Sequence, residues 1–171
     1  MWFPHVTVAT VVSQNNTFLM VHEKPDGYFT INQPAGHLER DENLIQAAVR
    51  ETKEETGWDV EVTHMLGVSL YEAPNGITYV RHSFAAQPVS FDTSVDLDDG
   101  IIEAQWMSHE EIIRQKAVLR SPLVLLDIER FLGGVNIPLS QVVTERYLAE
   151  DSRGQTLEPS KKPSYLSVNA V

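Results

Sequence analysis

The chain has 171 residues, enough for one domain with a full core and too few for two ordinary ones, and its lack of cysteine excludes disulfides, thiolate metal sites and cysteine nucleophiles. Twenty-four acids against 13 lysines and arginines give a net charge of −11, a sign that repels nucleic acid unless basic residues gather on one face, and no basic block occurs. No apolar run approaches the roughly 20 residues of a spanning helix and no cationic leader precedes one. The expectation is therefore a soluble, cytoplasmic monomer or small homo-oligomer with no nucleic-acid or membrane partner, although a polyanionic small molecule can bind if metal ions neutralise it.

In chain order, His5 to Val12 is dense in β-branched residues, Ser13-Gln14-Asn15-Asn16 reads as a turn, and Phe18 to Val21 resumes a buried-strand pattern, which predicts a hairpin. A short strand is expected around Tyr28 to Ile31, ending in a loop at Pro34. Asp41 is read as the cap of a helix that begins near Glu42 and closes at Gly57. Val60 to Tyr71 and Ile77 to Ala86 predict two strands joined across Ala73-Pro74-Asn75-Gly76. An acidic stretch from Asp92 to Gly100 leads to a strand at Ile101 to Met107, and Ser108 with Glu111 forms a capping box for a second helix. Ser121-Pro122 has the chemistry to open a third, which stops at Gly133-Gly134. Residues 1–140 are expected to form the domain, and 141–171 a polar extension, surface-lying or partly disordered. Strands, one inserted helix, more strands and two helices predict a mixed sheet covered by helices, an α/β or α+β layered domain.

The first predicted helix poses a problem of charge. At about 100° per residue, Glu51, Glu54 and Glu55 fall within roughly a third of the circumference, beside a stripe of Ile45, Ala48, Val49 and Thr52 suited to packing on a sheet. An acidic solvated face is the ordinary explanation, and Arg50 with Glu54 is an ordinary i, i+4 pair. Yet like charges at i, i+4 repel, and acids near a helix C-terminus oppose its dipole, so the cluster costs stability unless a cation sits on it. The preceding loop, Gln33-Pro34-Ala35-Gly36-His37, can bring main-chain oxygens to the same point. Oxygen donors without sulfur suit hard divalent ions such as Mg2+ or Mn2+.

Gly36, Glu42, Arg50, Glu51, Glu54, Glu55 and Gly57 fit the pattern G-x5-E-x7-R-E-U-x-E-E-x-G-U, where U is bulky and apolar, and on these residues the chain resembles the Nudix hydrolase family. Seven specified positions coincide by chance at on the order of 10^-8 per window. Thr52 departs from the usual aliphatic residue; its methyl can still pack, so a small stability cost is expected. The segments Pro4 to Ala9, Asn32 to Glu39 and Leu119 to Val124 extend the resemblance, toward a bacterial phosphatase branch of the family, over roughly residues 2–130.

The resemblance implies an α/β/α sandwich and Mg2+-dependent hydrolysis of nucleoside di- and triphosphates and of the pyrimidine pyrophosphate intermediate of thiamine synthesis. It implies Glu51, Glu54 and Glu55 as metal ligands, Glu51 also as the base for water, Ala35 as a main-chain carbonyl ligand, and Arg50 and Glu42 as supports that hold the helix end. Two alternatives stay open: a pyrophosphohydrolase acting on another nucleoside diphosphate derivative, such as a nucleotide sugar or dinucleotide, and a non-catalytic ligand-sensing module, against which the complete set of acids counts.

Outside the motif, Asp98, Asp99 and Glu103 are candidates for a further acid, against the plainer reading of a solvated loop. Arg81 is a candidate phosphate ligand, against an edge-strand arginine in solvent, and His37 a candidate contact to phosphate or water, against a surface histidine. Trp2, Phe3, Tyr28 and Tyr71 are candidates for base stacking, although such residues are more often core.

Overall fold

The structure is a computed structural model that describes residues 2–25 and 27–144. Strands β1 (His5–Gln14) and β2 (Thr17–Glu23) form the expected hairpin, turned by Asn15 and Asn16 at φ of 50° and 61°, the left-handed pair a tight two-residue turn requires. They pair only near the turn, at Ser13 with Phe18 and Gln14 with Thr17, and then diverge. β1 runs parallel to β6 (Thr78–Phe91), which pairs antiparallel with the edge strand β5 (Trp58–Glu72). β2 pairs antiparallel with both β3 (Thr30–Asn32) and β7 (Ile101–Ser108). The parallel pair makes the sheet mixed.

Every residue from Thr7 to Val12 is buried, as in a strand covered on both faces. Val8 and Val12 join Phe84, Ala86, Val60 and Val62 under Ala47 and Ala48 of helix α1 (Leu44–Thr56). Val11 and Ala85 point the other way, into a second cluster with Ile112 of α2 (His109–Arg114) and Val124 and Ile128 of α3 (Leu123–Leu132). Alternation along β1 and β6 thus feeds two cores, one on each face, which is the α/β/α sandwich expected of the family.

Several local readings shift. Asn43 caps α1: its Oδ1 accepts from the N–H groups of Ile45 and Gln46 at 3.0 and 2.9 Å, and Gln46 returns a bond to the Asn43 N–H. Asp41 instead turns the chain at φ 71°. The segment after Pro34 is a short strand, β4 (Ala35–His37), paired antiparallel with Thr7–Ala9 of β1. The Ala73–Gly76 turn closes with a Gly76 N–H to Ala73 O bond of 2.8 Å and Gly76 at φ 81°, so proline and asparagine occupy its centre and glycine follows. Before α3, Leu123 N–H donates to Ser121 Oγ at 3.3 Å, and Pro122 already has helical angles.

Of the expected C-terminal extension, residues 145–171 lie outside the described residues. Ile137 exchanges two main-chain hydrogen bonds with Met65 on the edge strand, and Val142 packs against the α1-side core. Among the described residues no helix is long and apolar enough to cross a membrane.

Candidate active site

The site is built where β4 meets α1. Gly57 ends the helix at φ 74°, its N–H on Lys53 O at 2.8 Å, and places the last turn against the sheet. Thr52 is fully buried; its hydroxyl donates to Ala48 O at 2.7 Å and meets Thr10 Oγ1 of β1 at 2.8 Å. The residue that departs from the family pattern therefore has a polar partner across the helix–sheet interface, where only methyl packing was expected.

Gly36 is required by proximity. A Cβ built on it would lie 2.0 Å from both Cδ and Oε2 of Glu51, so the main chain of β4 and this carboxylate occupy space that a side chain would fill. One residue earlier, Ala35 N–H donates to Glu55 Oε2 at 2.8 Å. β4 thus presses on two of the glutamates, which are both buried.

Arg50 organises the outer edge. Its Nε and Nη2 grip both oxygens of Glu42 at 2.9 and 2.8 Å, its Nη1 reaches Glu51 Oε1 at 2.9 Å and Glu54 Oε2 at 2.8 Å, and Nη2 also donates to His37 O at 3.0 Å. Hydrogen bonding to Arg50 pulls the Glu42 carboxyl below its ordinary pKa. Asp98 joins from the loop before β7, its N–H donating to Glu54 O at 3.2 Å. Carboxylate oxygens of Glu51, Glu54 and Asp98 all lie within 4.8 Å of one another.

Burial pushes Glu51, Asp98 and, most strongly, Glu55 toward the protonated form. Arg50 opposes the shift at Glu51, the Ala35 N–H opposes it at Glu55, and neighbouring acids reinforce it at all three. One arginine, already shared between three glutamates, leaves this patch with an excess of negative charge. An oxygen-only donor set in that condition fits a hard divalent cation.

Of the expected ligands, Glu51 and Glu54 are brought together, and Asp98 completes the group of three. Glu55 lies beside it, and Ala35, expected to offer its carbonyl, meets Glu55 through its N–H. Glu103 faces His22 instead, at 3.1 Å across β2 and β7, and Asp99 is exposed next to Asp98. Position in the sheet decides this: the main-chain bond to Glu54 turns residue 98 toward α1, while residue 103 is already in the β7 ladder opposite His22.

A cavity of about 430 Å³ opens beside β4, with Ala35, Gly36 and His37 on its wall. Arg81 also lines it and is buried, not at a solvent edge: its Nη2 donates to Gln33 Oε1, and its Nε lies 3.3 Å from Asp127 Oδ2, close enough for an ion pair but without hydrogen-bond alignment. His37 Nε2 is 3.1 Å from His5 Nδ1, and burial, then His5, lowers its pKa. Tyr71 is on the cavity wall, whereas Trp2, Phe3 and Tyr28 are exposed and outside it. Sequence reasoning missed Glu23, Arg120 and Asp127. Asp127, fully buried in the apolar run LVLLDIERFL and accepting from Ser83 Oγ at 2.6 Å, carried the signal of an acid on a core-facing stripe.

A mixed sheet between helices, with a glycine pressed on a glutamate-bearing helix end, defines a Nudix hydrolase, and the NUDIX domain model matches residues 3–126: the chain belongs to that family. It is 40% identical over 142 residues to phosphatase NudJ of Escherichia coli K12, covering 83% of this chain and 92% of that one. Among solved structures, a NUDIX hydrolase from Nitrosomonas europaea is 42% identical with a TM-score of 0.82, over 84% of this chain and 98% of its own. A MutT protein from Methanosarcina mazei Go1 shares the fold at 20% identity and a TM-score of 0.64, over 80% and 99% of the two chains.

Proposed function

We propose that the protein is a Mg2+-dependent phosphatase, with Mn2+ as a substitute, that removes orthophosphate stepwise from nucleoside tri- and diphosphates and also accepts hydroxymethylpyrimidine pyrophosphate. The observation that carries this reading is the convergence of Glu51, Glu54 and Asp98 within 4.8 Å beside Gly36, which also walls the cavity. The likeness to a protein named as a phosphatase supports orthophosphate as the product.

In this reading Glu51, Glu54 and Asp98 hold the metal, which when bound neutralises phosphate charge and acidifies water. Arg50 keeps Glu51 and Glu54 from turning away, and Glu42 keeps Arg50 in place. Glu55 fixes β4 through the Ala35 N–H. Glu51, with one oxygen engaged by Arg50 and basicity raised by burial, accepts the proton of the attacking water. The new P–O bond forms as the phosphoanhydride P–O bond breaks, and the leaving phosphate takes the electron pair. Arg81 presents a cation at the cavity wall.

The test is a panel of NTPs, NDPs, nucleotide sugars and pyrimidine pyrophosphates with Mg2+, separating orthophosphate from pyrophosphate. GTP should give GDP, then GMP, with one orthophosphate at each step, and EDTA should abolish turnover. Pyrophosphate as the sole early product would replace this reading with a MutT-type reaction, and an unchanged rate in EDTA would end the metal assignment.

A further inference from the structure

Two cavities meet at Arg120. The one beside β4 carries Arg120 on its wall, and a shallower one of about 500 Å³ over the start of α3 shares Tyr71, Arg120 and Ser121 with it. A polyanion entering the first meets the buried Glu23 on the wall and the acid patch beyond Gly36, so it needs cations from the protein. Among the described residues lining that cavity, the arginines are Arg81 and Arg120, and there is no lysine. Arg81 is committed to Asp127 and Gln33, and burial has lowered the basicity of His37.

Arg120 is held differently. Its main chain is fixed, with its N–H on Ile31 O at 2.9 Å and Leu119 bridged to Ile31. Its side chain is 39% exposed, and its ion pair with Glu23 spans 3.9 Å, too long for a hydrogen bond. Arg50, Arg81 and Arg130 hold their carboxylates at 2.8 to 3.3 Å. Glu23 is itself secured by Thr30 Oγ1 at 3.3 Å. A guanidinium on a rigid main chain, reached by solvent and loosely held, has the donor fork that a phosphate takes.

We propose that Arg120 is a phosphate-binding residue of this hydrolase, and that Glu23 is the weak partner of its guanidinium that the phosphate tail of the substrate replaces. The proposal rests on the hydrolase reading and adds a specificity-determining contact to it. Arg120 then adds a contact for substrates whose phosphate tail enters the cavity it lines.

The experiment compares wild type with Arg120→Gln, Arg120→Lys and Glu23→Gln on the best nucleotide of the panel. Arg120→Gln should raise KM on the order of 10-fold to 100-fold with kcat within about threefold, because a ground-state phosphate contact is removed. Mn2+ affinity, measured by calorimetry without nucleotide, should not change, and Arg120→Lys should recover part of KM by restoring the charge without the fork. Glu23→Gln should lower KM by freeing the guanidinium. An unchanged KM in Arg120→Gln, or a joint fall in kcat and Mn2+ affinity, overturns the proposal, and a raised KM in Glu23→Gln overturns the part given to Glu23. Binding of inorganic pyrophosphate in EDTA keeps the two readings apart. If wild type hydrolyses nothing in the panel, the function falls, and Arg120 is judged by its effect on pyrophosphate affinity, where equal binding, or none by either protein, overturns it.

Discussion

At the scale of single residues, the site depends on what is absent from Gly36. Its main chain is not in the left-handed region, so the requirement for glycine is one of space, created by the Glu51 carboxylate 2.0 Å from where a Cβ would stand. Gly36→Ala should therefore displace Glu51 or β4, lowering kcat/KM at least about tenfold, the effect of a misplacement of roughly 1 Å. The Tm of the metal-free protein should fall as well, because the buried carboxylate loses its seat. Steady-state kinetics with a thermal melt decide this, and wild-type kinetics in Gly36→Ala would show that Glu51 does not lie against β4 in the working enzyme. Thr52 illustrates the complementary case, an addition in place of an absence. Its hydroxyl is polar in a fully buried position, and Thr10, in a different element, supplies the partner that makes it tolerable.

At the scale of elements, helix α1 is held at both ends by local signals and along its charged edge by one arginine. Arg50→Gln removes five hydrogen bonds and the positive charge shared by Glu42, Glu51 and Glu54. These groups are partly reached by solvent, so the metal-free protein should lose about 1–3 kcal/mol, less than for a fully buried pair. Chemical denaturation in EDTA should show that loss, and saturating Mg2+ should recover part of it by neutralising the same glutamates; a variant as stable as wild type would mean the arginine is not the restraint. The features legible in the sequence are of this local kind. The Asn15-Asn16 turn, the Gly57 stop and the Ser108–Glu111 box each rest on residues within one turn of each other. The cap of α1 was misplaced by two residues because Asp41, Glu42 and Asn43 all carry capping oxygens, and only the left-handed conformation of Asp41 and the ion pair of Glu42 leave Asn43 free for the task. β4 was not legible, since three residues after a proline show no strand period and their pairing partner lies in β1. Asp98 was legible only as one of three candidates with Asp99 and Glu103, because what selects it is a main-chain bond to Glu54 that no spacing along the chain announces.

At the scale of the whole molecule, part of the excess of negative charge is buried, at Glu23, Glu51 and Glu55, and this couples metal, protons and stability. Burial raises the pKa of Glu23, Glu51, Glu55 and Asp98 above ordinary values of 4.5 for the glutamates and 3.8 for the aspartate. Each of them binds its proton more tightly folded than unfolded. Their contribution to stability is thus complete below those ordinary values and is lost as pH rises through the raised folded ones. His37 and His82 oppose this: burial lowers them from 6.5, so they cost stability as pH falls through that value. The Glu42 carboxyl, lowered by Arg50, loses its contribution only when pH falls below about 4.5. A divalent ion at the acid group competes with protons for Glu51 and Asp98, both raised by burial, and so stabilises most where those two are fully ionised. At a concentration near 100 times its Kd it adds about 2.7 kcal/mol, or roughly 10 °C in Tm for a domain of this size. The gap in Tm between Mg2+-saturated and EDTA-treated protein should therefore be widest at neutral pH and narrow as pH falls toward the ordinary carboxylate values of 4.5 and 3.8. Differential scanning calorimetry across that range measures it directly, and a gap that is absent, or that stays constant as the carboxylates take up protons, would remove the acid group as the metal site.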